Sequence, residues 1–363
     1  MIKKYCLTVT MTLAALVLTT TDACAQPWDL SGLPVYSPKE KVSGTIRVHG
    51  NNGQETVMKY WAEGFRRYQP EVQFEVKLLS TALALPALCS GVADIGLMGR
   101  EIWPMELLAV QRVFKNPPVT IEVSTCTFDK PFKTYPLVIF VHKDNPLSRI
   151  TMEQLDGIFG SLRSGGWDEA KINWMTENGR GADKNIRTWG QMGLTGEWKD
   201  KTIQPYGFDF TRNGLSTYFA ERVFHGGDKW NEALIELSMG KKADGSMFSP
   251  QEQSMEALGK DRYGIAYNGM QYRTSLVKPL ALAWTEAGPY VEATKASVQD
   301  RSYPFIRSMW LHAIRENGKA LEPRVREFIR YILSREGQEA VVREGDYLPL
   351  TEAVVRKQLR IIE

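Results

Sequence analysis

The chain has 363 residues, more than one ordinary domain needs, which predicts two domains that each bury a core. Its 43% hydrophobic and 24% charged residues are ordinary globular usage and exclude long-range disorder. A formal charge of +3 without a basic stripe argues against a dedicated nucleic-acid binder, so we expect no nucleic-acid partner.

Residues 1–25 have the pattern of a secretory signal peptide. Lys3 and Lys4 precede a short apolar run over residues 5–18, and Ala23-Cys24-Ala25 supplies the small residues of a cleavage site. The run is short and rich in Thr for a membrane span. We therefore predict cleavage after Ala25 and a soluble periplasmic protein.

Two other fates of this segment are the weaker alternatives. An uncleaved apolar run would anchor the protein in the membrane, and Cys24 raises the possibility of lipid attachment. Thr21-Asp22-Ala23 is a poor context for such attachment, because a Leu is missing and an Asp intrudes. No other stretch is apolar enough to cross a bilayer.

Two cysteines, Cys89 and Cys126, remain after the predicted cleavage. An oxidising compartment permits a disulfide between them, and two separate buried thiols are the alternative. The sequence lacks Cys-x-x-Cys and any Cys/His spacing typical of zinc, and its four histidines are widely spaced. We expect neither a metal nor a cofactor.

Strand and helix patterns alternate through the first part of the chain. Residues 26–43 form a polar lead-in, interpreted as an N-terminal tether or a surface arm. A strand over 45–49 is followed by a helix over 54–68, in which Val57, Trp61 and Phe65 recur at helical spacing. Further strands are predicted over 72–78 and 93–98, with helical patterns near 82–89 and over 104–114. Such alternation predicts mostly parallel sheets covered by helices, with ligands beyond the carboxyl ends of the strands.

A second region begins near Tyr135. It contains an apolar strand over 136–142, a helix that a capping box opens at Thr151, and a core strand over 263–267. A strand-like run over 309–314 and a helix that begins at Pro323 then predict a return to the first lobe.

Four loops combine helix starts with groups that bind oxyanions, because helix N-termini favour negative charge. Each loop also has a plainer interpretation: a tight turn for the first, a helix cap for the second, a structural ion pair with the neighbouring lobe for the third, and an N-cap with a solvated Arg for the fourth. The candidate residues in the four loops are Asn51, Asn52 and Gly53; Ser80 and Thr81; Gly99 and Arg100; and Arg212, Asn213, Ser216 and Thr217.

From about Gly44 to its end, the chain resembles the phosphate-binding proteins of ABC transporters, the PstS-like family with a type II periplasmic-binding fold. Residues 93–101, 141–147, 188–198 and 346–350 carry the resemblance, in matching order and spacing. It implies an α/β, two-lobed fold with a ligand cleft between the lobes. Lobe I would comprise 44–130 plus 303–363, and lobe II 131–302.

The resemblance also implies site residues and a role. Tyr267 and Asn268 match a family segment near the hinge and cleft, and the four loops above match the family's binding loops. We expect a monomeric, non-enzymatic protein that captures a small anionic ligand, phosphate-like or an anionic metabolite, for an ABC transporter permease. The alternative is a binding module without transport, such as a sensor or a biosynthetic accessory protein. No motif of a hydrolase or a P-loop supports an enzyme.

Two departures from the family bear on the ligand. Family members often place Ser or Asp where Gly99 stands, and an Asp there would accept the proton of hydrogen phosphate. The family's phosphate loop usually has an Arg shortly before Ser-Gly-Thr, whereas Phe208 and Phe210 lie in that neighbourhood here and residues 212–217 are a displaced version. We therefore expect weak or absent phosphate binding.

Overall fold

The computed structural model describes residues 28–210, 213–227 and 229–363. The predicted signal peptide and the predicted binding residue Arg212 lie outside these ranges.

Seventeen strands are formed by the described residues. They are β1 (Gly44–Gly50), β2 (Val72–Leu78), β3 (Ile95–Met98), β4 (Val119–Thr127), β5 (Val138–His142), β6 (Arg149–Thr151), β7 (Gly166–Trp167), β8 (Trp174–Met175), β9 (Gln204–Phe208), β10 (Ile235–Leu237), β11 (Gly240–Lys241), β12 (Met247–Phe248), β13 (Gly264–Asn268), β14 (Val277–Pro279), β15 (Ala281–Ala283), β16 (Ser308–Ala313) and β17 (Tyr347–Leu348).

Ten α-helices accompany them in the same part of the chain. They are α1 (Glu55–Arg66), α2 (Ala84–Cys89), α3 (Pro104–Phe114), α4 (Met152–Phe159), α5 (Gly214–Val223), α6 (Pro250–Lys260), α7 (Lys295–Gln299), α8 (Pro323–Ile332), α9 (Arg335–Glu344) and α10 (Glu352–Ile362). None of the described helices combines the length and apolar character that crossing a bilayer requires.

Two main sheets organise the molecule. The first has the strand order β17-β4-β16-β3-β1-β2, and the second has the order β10-β9-β13-β5-β14. The first sheet thus takes its strands from both ends of the described chain, and the second takes them from the middle. Two separate large apolar cores accompany the sheets, one containing Trp61, Phe65 and Phe328 and the other Phe140 and Tyr267.

The expectation of mostly parallel sheets is wrong, because both sheets are mixed. β1 pairs in parallel with β2 and β3, and β9 with β10 and β13. β16 instead runs antiparallel to β3 and β4, and β5 antiparallel to β13 and β14. β5 and β16 are the strands by which the chain passes from one sheet to the other. Strands that are joined by helices all end at the same edge of the sheet. A strand that arrives from the opposite lobe begins at that edge, so it runs antiparallel to them.

The described segment before β1, residues 28–43, forms an arm that packs against the apolar core of the first sheet. Leu33 and Tyr36 are buried in the core that holds Phe65. The backbone NH of Arg335 donates to the carbonyl of Pro34 at 2.8 Å, which ties the arm to the start of α9.

The two cysteines are separate free thiols. Cys126 is fully buried, and burial raises the pKa of its thiol to about 12. Cys89 is partly exposed at the end of α2. The sequence left open a disulfide or two separate thiols, and the structure has two separate thiols.

Candidate functional site

A cavity of about 260 Å³ lies where the loops after the first sheet's strands meet the beginning of α5. Segments from both sheets and from the connections between them contribute to its wall. The lining residues are Asn51, Asn52, Phe132, Lys133, Thr134, Tyr135, Asn213, Gly214, Leu215, Gln251, Tyr272 and Arg307. We refer to this space as the interlobe cleft.

Hydrogen bonds join the first three predicted loops into one network at the floor of the cleft. Asn51 caps the turn after β1 by accepting from the NH of Gly53 at 2.8 Å. Its Nδ2 donates to Oγ1 of Thr81 at 2.7 Å, and the same oxygen accepts from the NH of Gly99 at 3.3 Å. The Asn51 amide is therefore held in place by its neighbours.

The turn after β1 depends on a glycine. Gly50 has φ +143°, and a Cβ there would lie 2.0 Å from the carbonyl oxygen of Leu97 on β3. Only glycine permits this close backbone approach. It brings the first loop against the end of β3, where Gly99 follows.

The carbonyl of Gly99 links the floor of the cleft to the two connections between the sheets. It accepts a hydrogen bond from Oγ1 of Thr134 at 2.7 Å and one from Nη2 of Arg307 at 3.3 Å. Thr134 lies just before β5, and Arg307 lies just before β16. The elements that cross between the lobes thus supply functional groups to the cleft.

Arg307 is a buried cation without a carboxylate partner among the described residues. Its side chain is 5% exposed, its Nε has no hydrogen-bond partner there, and its guanidinium lies 5.1 Å from the Tyr218 ring. A buried guanidinium normally requires a counter-charge. An anion in the cleft would supply one.

Lys133, the second cation of the lining, is already neutralised. Its Nζ bonds Glu344 at 2.7 Å and also pairs with Asp346, so it fastens the first connection to the C-terminal segment. No carboxylate lines the cleft among the described residues. Among the described lining residues, the positive charge without a carboxylate partner is therefore that of Arg307.

The chain is similar to known binding proteins over most of its length. A model of the PBP superfamily domain matches residues 36–336. The phosphate-binding protein PstS of Pseudomonas aeruginosa is 30% identical over 331 residues, 90% of each chain. This chain belongs to the PstS family of the PBP superfamily.

Solved structures agree on the fold. An ABC-type phosphate transport receptor from Vibrio cholerae is 17% identical, with a TM-score of 0.51 over 84% of this chain and 99% of that one. PstS from Borrelia burgdorferi is 13% identical, with a TM-score of 0.52 over 86% and 100%. The α/β, two-lobed periplasmic-binding fold expected from the sequence is confirmed.

Several residues that the family resemblance suggested do not line the cleft. Both terminal nitrogens of Arg100 bond the carboxylate of Glu106 on α3, at 2.7 and 2.6 Å, and its guanidinium stacks on Trp103. This is a structural ion pair within the first lobe, rather than with the neighbouring lobe as the plainer interpretation had it. Ser80 caps the turn before α2 by accepting from the NH of Ala82.

The predicted residues of the second lobe divide in the same way. Asn213 lines the cleft and caps α5 by accepting from the NH of Leu215 at 3.0 Å. Ser216 is buried and bonds the carbonyl of Phe208 at 2.7 Å and the hydroxyl of Tyr267 at 2.9 Å. The side chains of Ser216 and Tyr267 thus form hydrogen bonds inside the lobe and do not line the cleft.

The remaining two residues, Thr217 and Asn268, do not line the interlobe cleft. Thr217 donates to the carbonyl of Gly214 in its own helix. Asn268 is buried and donates to the carbonyl of Gln251, so it supports a residue of the lining without reaching the cleft.

Sequence reasoning missed Thr134, Arg307 and Gln251, which the fold brings into the cleft from outside the four loops. No local motif marks Arg307, because it precedes a strand rather than a helix. The strand-like run over 309–314 that follows it indicated only that the chain returns to the first lobe. Among the residues that the structure describes, no cluster of His, Cys, Asp or Glu is placed to hold a metal ion.

Proposed function

We propose that this PstS-family chain is an exported, non-enzymatic binding protein that captures a small oxyanion in the interlobe cleft and delivers it to an ABC transporter permease. The single observation that carries the proposal is the buried Arg307 guanidinium, which faces the cleft without a carboxylate partner among the described residues. The P. aeruginosa relative is named as a phosphate-binding protein, which supports an oxyanion ligand.

The beginning of α5 strengthens the anion site. Asn213 and Gly214 place the N-terminus of a ten-residue helix in the cleft, and that end of a helix carries partial positive charge. A Cβ on Gly214 would lie 3.8 Å from Cδ of Arg100 and 4.0 Å from Nη2 of Arg307. Gly214 therefore lies close to Arg307. An oxyanion in the adjoining cleft would contact the helix amides and the guanidinium together.

The cleft favours an oxyanion that carries no proton. Hydrogen phosphate needs a strong acceptor for its proton, and no carboxylate is present among the described lining residues. A fully ionised anion such as sulfate has no such requirement. We infer that sulfate or an organic oxyanion binds at least as tightly as phosphate.

Calorimetric titration of ligand-stripped protein with phosphate, sulfate and small organic phosphates tests the proposal. Replacing Arg307 by Ala removes charge-assisted hydrogen bonds of about 1.5–3 kcal/mol each, so we expect affinity to fall by at least about tenfold. Arg222→Ala is the matched control, because Arg222 is exposed and does not line the cleft. Micromolar phosphate binding would overturn the selectivity, and binding of no anion would overturn the site.

A further inference from the structure

A second and larger cavity lies on the other side of α5. It has a volume of about 570 Å³, within the roughly 300–1,000 Å³ typical of small-molecule sites. Its wall takes residues from α3, from the loop around β7, from α5 and from the segment after β15. We call it the aromatic cavity, because five of its lining residues are Trp103, Trp167, Phe210, Trp230 and Trp284.

The aromatic rings come from five separate places in the chain and remain accessible. Trp284 is 49% exposed and Phe210 is 41% exposed. Trp230 is half-buried, with its ring stacked on Phe219 at 5.4 Å between centroids. Large aromatic side chains that converge on open space, instead of packing against one another, are typical of a ligand site.

Two of these rings already bind cations within the protein. The guanidinium of Arg100 lies 3.7 Å from the centroid of Trp103, and that of Arg222 lies 4.9 Å from Trp284. No cation is stacked on Trp167, Trp230 or Phe210 in the described part of the chain. Trp167 and Phe210 therefore offer faces without a stacked cation to a cationic ligand, whereas Trp230 is stacked on Phe219.

The charged groups of the wall carry more negative than positive charge. Three carboxylates, Asp168, Glu169 and Glu221, stand against the two cations Lys171 and Arg222. Lys171 is engaged, because it bonds Glu221 at 2.7 Å and donates to the carbonyl of Ile102 at 2.9 Å.

Two titratable groups of the wall modify this balance. Burial, and then the charge of Glu101, raise the pKa of Glu221, so this carboxyl contributes less negative charge than Asp168 and Glu169, which are the other two acids of the wall. Burial and Arg163 lower the pKa of His225 from 6.5, so this imidazole is uncharged at neutral pH and adds no positive charge.

We propose that the aromatic cavity binds a small organic cation, such as a quaternary ammonium or alkylamine compound, by cation–π contact with its free aromatic faces and by attraction to its surplus carboxylates. Its chemistry is opposite to that of the interlobe cleft, where a cation stands without a carboxylate. No described residue lines both cavities, so this proposal does not depend on the oxyanion function.

Choline is a suitable probe, and 3,3-dimethylbutan-1-ol is its uncharged counterpart of nearly the same shape. Titration of the full mature chain by calorimetry or saturation-transfer NMR should show choline binding and little binding of the alcohol. Trp167→Ala, Phe210→Ala and Glu169→Gln should each weaken choline binding, by about three- to thirtyfold for the aromatic changes.

Matched variants separate the site from general damage. Tyr68 is 40% exposed, nearly as much as Phe210, but it does not line the cavity, so Tyr68→Ala should leave choline affinity unchanged. Arg307→Ala should also leave it unchanged while it weakens oxyanion binding. Equal binding of choline and the alcohol, absence of choline binding at millimolar concentration, or equal losses in Tyr68→Ala and Phe210→Ala would each overturn the proposal.

Discussion

Two arginines near the cleft show how partners decide the role of a residue. Arg100 and Arg307 both approach Gly214, yet Arg100 is held by the carboxylate of Glu106 and Arg307 has no carboxylate among the described residues. Glu106 follows Arg100 by six positions, so this pair is local. The absence of a partner for Arg307 emerges only from the folded arrangement of several distant segments.

Gly99 is the residue at which added volume should be most harmful to the cleft. A Cβ there would lie 2.7 Å from Oγ1 of Thr134 and 3.0 Å from Nδ2 of Asn51, so both groups would have to shift. We expect Gly99→Ala to destabilise the protein by about 1–3 kcal/mol and to weaken oxyanion binding. Urea unfolding and calorimetry measure the two effects. Gly214→Ala, whose Cβ meets only ordinary contacts, should keep full stability, and equal losses in both variants would contradict this account.

The two thiols should differ in reactivity. Cys126 is buried with a pKa of about 12, and burial also raises the pKa of the partly exposed Cys89. The thiolate is the reactive form. In the chain that begins at Gln26, iodoacetamide should therefore modify Cys89 slowly and Cys126 only after unfolding, as intact mass would show. A reductant should leave the melting temperature unchanged, and a mass two units lower in the untreated protein would instead reveal a disulfide.

At the scale of elements, the local sequence predicted which segments form strands and helices better than it predicted how the strands pair in the sheets. The expected strand at 72–78 and helix at 104–114 match β2 and α3, because alternation and helical spacing are local signals. The prediction of mostly parallel sheets was wrong, because β5 and β16 pair antiparallel with their neighbours. The direction of a strand depends on where the chain enters the sheet. Likewise, the sequence indicated Asn51 and Asn213 through their loops, but not Thr134 or Arg307, which reach the cleft through the connections between sheets.

The N-terminal arm should contribute to stability through one buried hydrogen bond. Glu327 on α8 is fully buried, and the hydroxyl of Tyr36 donates to its carboxylate at 2.9 Å. Tyr36→Phe leaves that oxygen with only the weaker NH of Lys39 at 3.3 Å, so we expect a loss of about 1–3 kcal/mol in the free energy of unfolding. Urea denaturation measures it, with the exposed neighbour Val35→Ala as control. Unchanged stability in Tyr36→Phe would show that the arm packs without depending on this bond.

At the scale of the whole molecule, the two sheets are joined by two connections that lie side by side. The NH of Leu137 donates to the carbonyl of Phe305 at 3.0 Å, and the NH of Cys126 donates to that of Arg307 at 3.2 Å. Thr134 and Arg307 therefore belong both to the cleft and to the connections. The lobe limits of 44–130 plus 303–363 and of 131–302 stay a prediction, and these connections are where we propose that the molecule bends.

Ligand binding should close the cleft by a hinge movement at these connections. An anion held by Arg307, the turn after β1 and the start of α5 contacts groups from both lobes, so it stabilises the arrangement in which they are near each other. Small-angle X-ray scattering of the mature protein, with and without the tightest-binding anion, should show a smaller radius of gyration in its presence. Arg307→Ala should require a higher anion concentration for the same change, whereas Arg222→Ala should behave as the unmodified protein. If saturating anion leaves the scattering curve unchanged, the lobes do not move on binding and the anion occupies a cleft that is already closed.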